Sequence, residues 1–260
     1  MNFTRKISKT EYLAHVAAGL LIFLLIWLAL THKGFIKPLF LPAPWTVVKA
    51  LAALWSSGSL IADTWASLYR ILLGCLASFA IALPLGVMLG VYRRAEALVE
   101  PLIAFIRYIP PSAFIPLAII WLGIGEAEKI LILVLGVAPY LTLLISDTVI
   151  ATRRDLVDAA LTLGARPADV ILRVILPNSM PAIWDSFRIM IGAAWTFVIT
   201  AEIVGASSGL GHLMIQSQRF LRTDNIFAGI IVIGLLGLAT DYSFKLTYKI
   251  FFPWTEKSHA

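Results

Sequence analysis

Charge is scarce in this sequence. Charged residues make up 14% of its 260 residues, where soluble domains carry about 25%. Apolar residues reach 60%, above the usual level of about 45–50%, and the mean hydropathy is +0.89. That balance excludes a large soluble domain and points to lipid as the solvent. Cysteine is nearly absent. Cys75 stands alone inside an apolar run, so an internal disulfide, a zinc site and an iron–sulfur site are excluded on ligand count, and a small packing residue is the plain reading. A Gly-x-x-x-x-Gly-Lys-Ser/Thr run is also missing, so the chain has no phosphate cradle of its own and binds no nucleotide through one. Without an internal repeat, a low-complexity segment or a linker, residues 1–260 read as one membrane domain.

What is present is a series of long apolar runs. About 20 such residues cross a bilayer as a helix. Six runs qualify: 12–30, 68–91, 102–122, 130–150, 187–206 and 226–251. Lipid offers no partner to an open backbone group, so spans must be helices or closed barrels. The runs lack the alternation of barrel strands. The predicted fold class is all-α and polytopic. The first run is too long for a cleavable signal and reads as a retained span.

The net charge of +6 reads as topology and not as a nucleic-acid surface, because Lys and Arg sit between apolar runs. With the N-terminus inside, twelve cationic residues fall inside, among them Arg5, Lys6, Arg153 and Lys257. Six fall outside, including Lys33, Lys129 and Arg219. The bias predicts both termini on the cytoplasmic side. Trp121, Trp184, Trp254 and Tyr248 sit at span ends and read as interfacial anchors.

Two spans carry unusual residues. Arg107, Tyr108, Pro110, Pro111, Ser112 and Pro116 fall within 102–122. Proline removes a donor and clashes with the preceding turn, so this span should be broken and should face protein or a cavity. Arg107 would then line a translocation path, with headgroup snorkelling or a pair with Glu100 as the competing readings. The fifth span holds Trp195, Thr196, Thr200 and Glu202 among small residues. These are further path candidates, and they do not share one narrow face. Glu202 lies near the outer end, where water should reach it.

Segment 153–183 is the longest inside loop. Leu156, Ala159, Ala160 and Leu163 fall on one helical face, and Gly164 suits a helix C-terminus. Pro167 opens a second helix, which should stop before Pro177. The pattern Asp158-Ala159-Ala160, three residues, Gly164-Ala165, eight more residues, then Val174-Ile175-Leu176-Pro177 resembles the EAA loop of ABC-importer permeases. Asp158 replaces the family's Glu and Val174 its Ile. Phe40-Leu41-Pro42-Ala43-Pro44, Arg107-Tyr108-Ile109-Pro110-Pro111, Ile120–Glu126 and Ala201-Glu202 are similar to members of the nitrate, sulfonate, taurine and bicarbonate type.

The resemblance implies the type I importer fold in a bacterial inner membrane. It implies a pair of identical copies and a cytoplasmic ATPase dimer, which binds the ATP and Mg²⁺. An extracytoplasmic binding protein would deliver a small anion. It also implies that Asp158, Ala159, Ala160, Gly164, Ala165, Leu176 and Pro177 couple the chain to the ATPase. Two rival classes carry their own signals. Gly205-Ala206-Ser207-Ser208-Gly209 with His212 matches a hydrolase motif, but it lacks a strand before it. Glu202 and Asp241 would suit the proton relay of an ion-coupled transporter, but six spans without an inverted repeat fit that class poorly.

Overall fold

The structure, a computed structural model, describes residues 8–32 and 35–255. Among these it is helical, with no strand. Of the cationic residues counted for orientation, Arg5, Lys6, Lys33 and Lys257 lie outside the described residues.

Five helices are long and apolar enough to cross a membrane: α1 (Lys9–Thr31), α3 (Ser59–Val91), α6 (Glu126–Ile150), the continuous run 167–203 that ends in α9 (Leu176–Ile203), and α11 (Thr223–Phe251). A sixth candidate span is the pair α4 (Arg93–Tyr108) and α5 (Ile115–Leu122), joined through a 3-10 turn at Pro111–Phe114 and bent by 89°. The predicted proline break is therefore real. Two shorter helices, α2 (Pro44–Ser56) and α10 (Leu210–Arg219), lie in the segments between the first and second and between the fifth and sixth apolar runs.

The chain divides into two compact units. One is built from the chain up to Ile61 and from Leu213–Ile231. Its core sets Val47 and Ala50 of α2 against Ala228, with Trp27 of α1 packed on Phe227 at 5.8 Å between ring centres. The Trp27 indole N–H also donates to the Pro42 carbonyl at 3.0 Å. Elsewhere α1 is exposed: none of its apolar window is buried within the chain.

The other unit holds Ala62–His212 and the chain from Val232 on. Its centre is α6 packed along α9. Ile132, Leu133, Val137, Leu141 and Ile145 of α6 are fully enclosed, as are Ile183, Ala194, Val198 and Ala201 of α9. Lipid tails are as apolar as Leu, so this pairing is driven by close packing and not by escape from water. Gly86 and Gly90 of α3 serve that end. A Cβ on either would lie 2.6 Å from Ile145 or Val149 of α6.

Two aromatic readings change. Tyr248 is buried, with its ring 5.3 Å from Phe252. Trp184 packs against Phe187, Phe244 and Phe251. Tyr248 is thus a core residue and Trp184 a half-buried one, because α9 and α11 bring their aromatic side chains together. Trp121 and Trp254 are exposed, as interfacial anchors would be.

Candidate functional site

The turn between α6 and α9 begins with α7 (Arg154–Thr162). It closes as a Schellman motif: Ala165 N–H donates to Ala160 O at 3.1 Å and Gly164 N–H to Leu161 O at 2.9 Å. Gly164 takes φ +83°, the left-handed conformation that such a closure requires. The face carrying Leu156, Ala159 and Leu163 points away from the chain, and Leu163 is 89% exposed. Ala160 is half-buried, while Val157 and Leu161 line a cavity of about 530 Å³ together with Val149 and Ile171. Asp158, like Asp155, is exposed. The Arg153 guanidinium bonds Asp155 and holds its carboxyl below the usual carboxylate range.

The second helix of this turn does not stop before Pro177. It runs from α8 (Pro167–Val170) through a π-helical segment, Ile171–Ile175, into α9 without interruption. Leu176 N–H reaches back five residues to Ile171 O. The reason is local. Pro177 brings no N–H and crowds the carbonyl four residues earlier, and a widened π turn accommodates both defects within one continuous helix.

The break between α4 and α5 places Arg107 in the last turn of α4, where a cation suits the helix dipole. Its guanidinium lies 5.1 Å from the ring centre of Tyr108 and 5.8 Å from that of Tyr140. Among the described residues no carboxylate lies within ion-pairing distance, so the Glu100 pair does not form. The 3-10 turn and α5 together rise about 20 Å, short of a hydrocarbon core of about 30 Å. The segment after the break is therefore too short to cross by itself and needs α4 to complete a span. Tyr108, Pro110 and Ser112 are exposed at the break, and Pro111 is half-buried.

The fifth-span candidates separate. Thr196 is exposed and Thr200, one turn on, is half-buried, with its hydroxyl donating to Thr196 O at 2.8 Å. Trp195 is buried and its indole N–H points to Thr240 at 3.4 Å. Glu202 is fully buried, contrary to the expectation that water reaches it. The cause is Arg70, a charge inside the second apolar run.

Arg70, only 1% exposed, uses all of its donors. Nε and Nη2 bond the two oxygens of Glu126 at 2.7 and 2.6 Å. Nη1 bonds Glu202 and the Ser208 carbonyl, each at 2.7 Å, and Nη2 reaches Ser208 Oγ at 3.2 Å. Glu202 also accepts from Ser67 Oγ at 2.7 Å and from Gly211 N–H at 2.8 Å. Beside this network Lys129, counted from sequence as a loop cation, is buried. Its ammonium donates to Gly125 O at 2.9 Å and to Glu128 at 3.1 Å. Removing one partner of such a buried pair costs about 3–5 kcal/mol. Asp241 is paired as well, with Arg188 at 3.2 Å and Lys245 at 2.6 Å. Neither Glu202 nor Asp241 is thus placed as an isolated proton relay. The hydrolase-like run 205–209 lies between α9 and α10, a helix-to-helix turn.

Residues 82–257 match the family model described as binding-protein-dependent transport system inner membrane component. The chain belongs to this permease family. A Brucella abortus (strain 2308) relative named as an ABC transporter permease protein is 39% identical over 234 residues, covering 89% of this chain and 92% of its own. The taurine transport system permease protein TauC of Escherichia coli (strain K12) is 33% identical over 240 residues, covering 90% and 87%. In fold the permease is similar to a chain of the inward-facing MetNI methionine ABC transporter. The TM-score is 0.66 at 21% identity, over 83% of this chain and 98% of that one. The permease is thus a multi-pass membrane subunit of an ABC importer, with the type I fold, and not an enzyme.

Proposed function

We propose that two copies of this permease form the path of an ATP-driven importer in a bacterial inner membrane, with both termini cytoplasmic. The α7 turn, through Asp158, Ala159, Ala160, Gly164 and Ala165, seats in a groove of a cytoplasmic ATPase that binds ATP and Mg²⁺. Leu176 and Pro177 carry its motion into α9. An extracytoplasmic binding protein supplies a small anion, of which a sulfonate is the favoured class because a relative is named for taurine transport. The solute passes Arg107, which among the described residues has no carboxylate within ion-pairing distance.

The observation that carries this reading is the outward apolar face of α7. Leu163 is almost fully exposed on a turn whose backbone is closed and rigid. A rigid element transmits a displacement, and an exposed apolar tip gains by entering a groove. The test is co-purification of the permease with its ATPase. Leu163→Asp is expected to insert normally and to lose at least about tenfold in ATPase association, which is about 1.4 kcal/mol. Unchanged association would refute the docking role. Uptake that persists with no ATPase present would instead support an ion-coupled carrier.

A further inference from the structure

The exposed turn between α9 and α10 is tied down by far more than its length requires. Gly209 N–H donates to Asp63 at 2.8 Å and Leu210 N–H to Ser67 Oγ at 2.9 Å. Those two bonds already fix the turn to α3. Arg70 adds a third anchor of a different kind, because its remaining bonds run to Glu126 at the first residue of α6. One guanidinium therefore joins α3, α6, α9 and the turn. An ion network that served packing alone could be replaced by apolar side chains without loss. Its distinctive property is geometric: a planar fork with five donors fixes directions as well as distances.

The network also has a weak side. Arg70 and Glu202 are sealed, but the Glu126 side chain is 51% exposed. Solvated ion pairs are worth little and break readily. Above this pair the surface is formed by two loops. Ile124, Ile203 and Val204 are exposed there, and a Cβ on Gly205 would touch Ile124 at 3.4 Å. A displacement of that surface would thus act first on the Arg70–Glu126 link, the part of the network that yields most readily.

We propose that Arg70 is a positioning residue of the extracytoplasmic face. By holding Glu126, Glu202 and Ser208 at once, it couples the 204–209 turn to the start of α6, so that contact by the solute-binding protein is relayed into the membrane helices. The proposal rests on the importer reading for the identity of that partner.

The test uses the complete complex in proteoliposomes, with Cys75→Ser and a nitroxide on Ser207→Cys, an exposed position. Glu126→Gln opens the solvated link and keeps the buried pair. The double variant R70Q/E202Q removes both buried charges together, so no buried carboxylate is stranded. In both, the mobile fraction of the label is expected to rise about twofold. The ratio of binding-protein-stimulated to basal ATP hydrolysis should fall toward one, and uptake should drop about tenfold. An unchanged label spectrum in either variant overturns the proposal, as does uptake at the parental rate with an altered spectrum. Loss of assembly in both would make Arg70 a stability residue and overturn it too. If the parental complex itself shows no ATP-dependent uptake, the importer reading fails, and the spectra alone decide whether Arg70 positions the turn.

Discussion

Gly164 and Gly209 both adopt positive φ, +83° and +117°, in different surroundings. A Cβ on Gly164 would meet nothing within 4 Å, whereas on Gly209 it would collide with Glu202 and lie 2.6 Å from Arg70 Nη1. Gly164→Ala therefore carries only a backbone cost of about 1–2 kcal/mol. Gly209→Ala carries that cost and displaces a buried ion pair. Detergent-solubilised Gly209→Ala is expected to melt well below Gly164→Ala, and equal midpoints would contradict the crowding. At Arg107 the charge itself is at issue. Arg107→Glu should abolish uptake of an anionic solute while ATPase docking persists, and Arg107→Lys should retain part of it; parental uptake by Arg107→Glu would remove Arg107 from the path. Both arginines were visible in the sequence as charges in apolar runs. Only the partner of Arg70 was not, since Glu126 and Glu202 lie 56 and 132 residues away along the chain.

At the level of elements, proline gave two different outcomes. Pro110 and Pro111 follow a helix end and produce a sharp break, as their missing donors require. Pro177 produces no break, because the π segment before it absorbs the defect. Local pattern marks a proline as a stop; here the π segment takes up the Pro177 defect, and the helix continues because α9 packs along α6, a long-range contact that the local pattern does not display. The π segment sets the angular register of α7. One residue of α-helix is about 100° of rotation. Pro177→Ala should let 171–175 tighten to α geometry and turn the Leu163 tip away from its groove. We expect normal insertion, with uptake reduced about tenfold and restored toward parental rate by deletion of Leu172, which removes the residue the π turn had accommodated, but not by a one-residue insertion. Parental uptake by Pro177→Ala alone would sink the register argument.

For the molecule as a whole, five of the six predicted spans are found as single helices and the third as a bent pair, and most helix starts lie earlier than the apolar run, by nine residues at α3. Hydropathy marks what lipid must cover, and helices continue past it wherever backbone bonds can. In a Cys75→Ser background, a cysteine at position 160 is expected to react with an impermeant thiol reagent only from the cytoplasm, and one at 207 only from outside. Reaction of position 160 from outside would invert the topology. The helices also differ in how much of their residue order is specified. Half of the apolar window of α6 is buried against neighbours, whereas α1 buries none of its own and, among the described residues, makes its ring contact and indole bond at Trp27. Along most of its length α1 thus encodes a thickness and not a message. Its residues between Leu13 and Ile26 could be shuffled among themselves with little loss, a freedom that a substitution scan would record as a silent stretch at the head of an otherwise exacting chain.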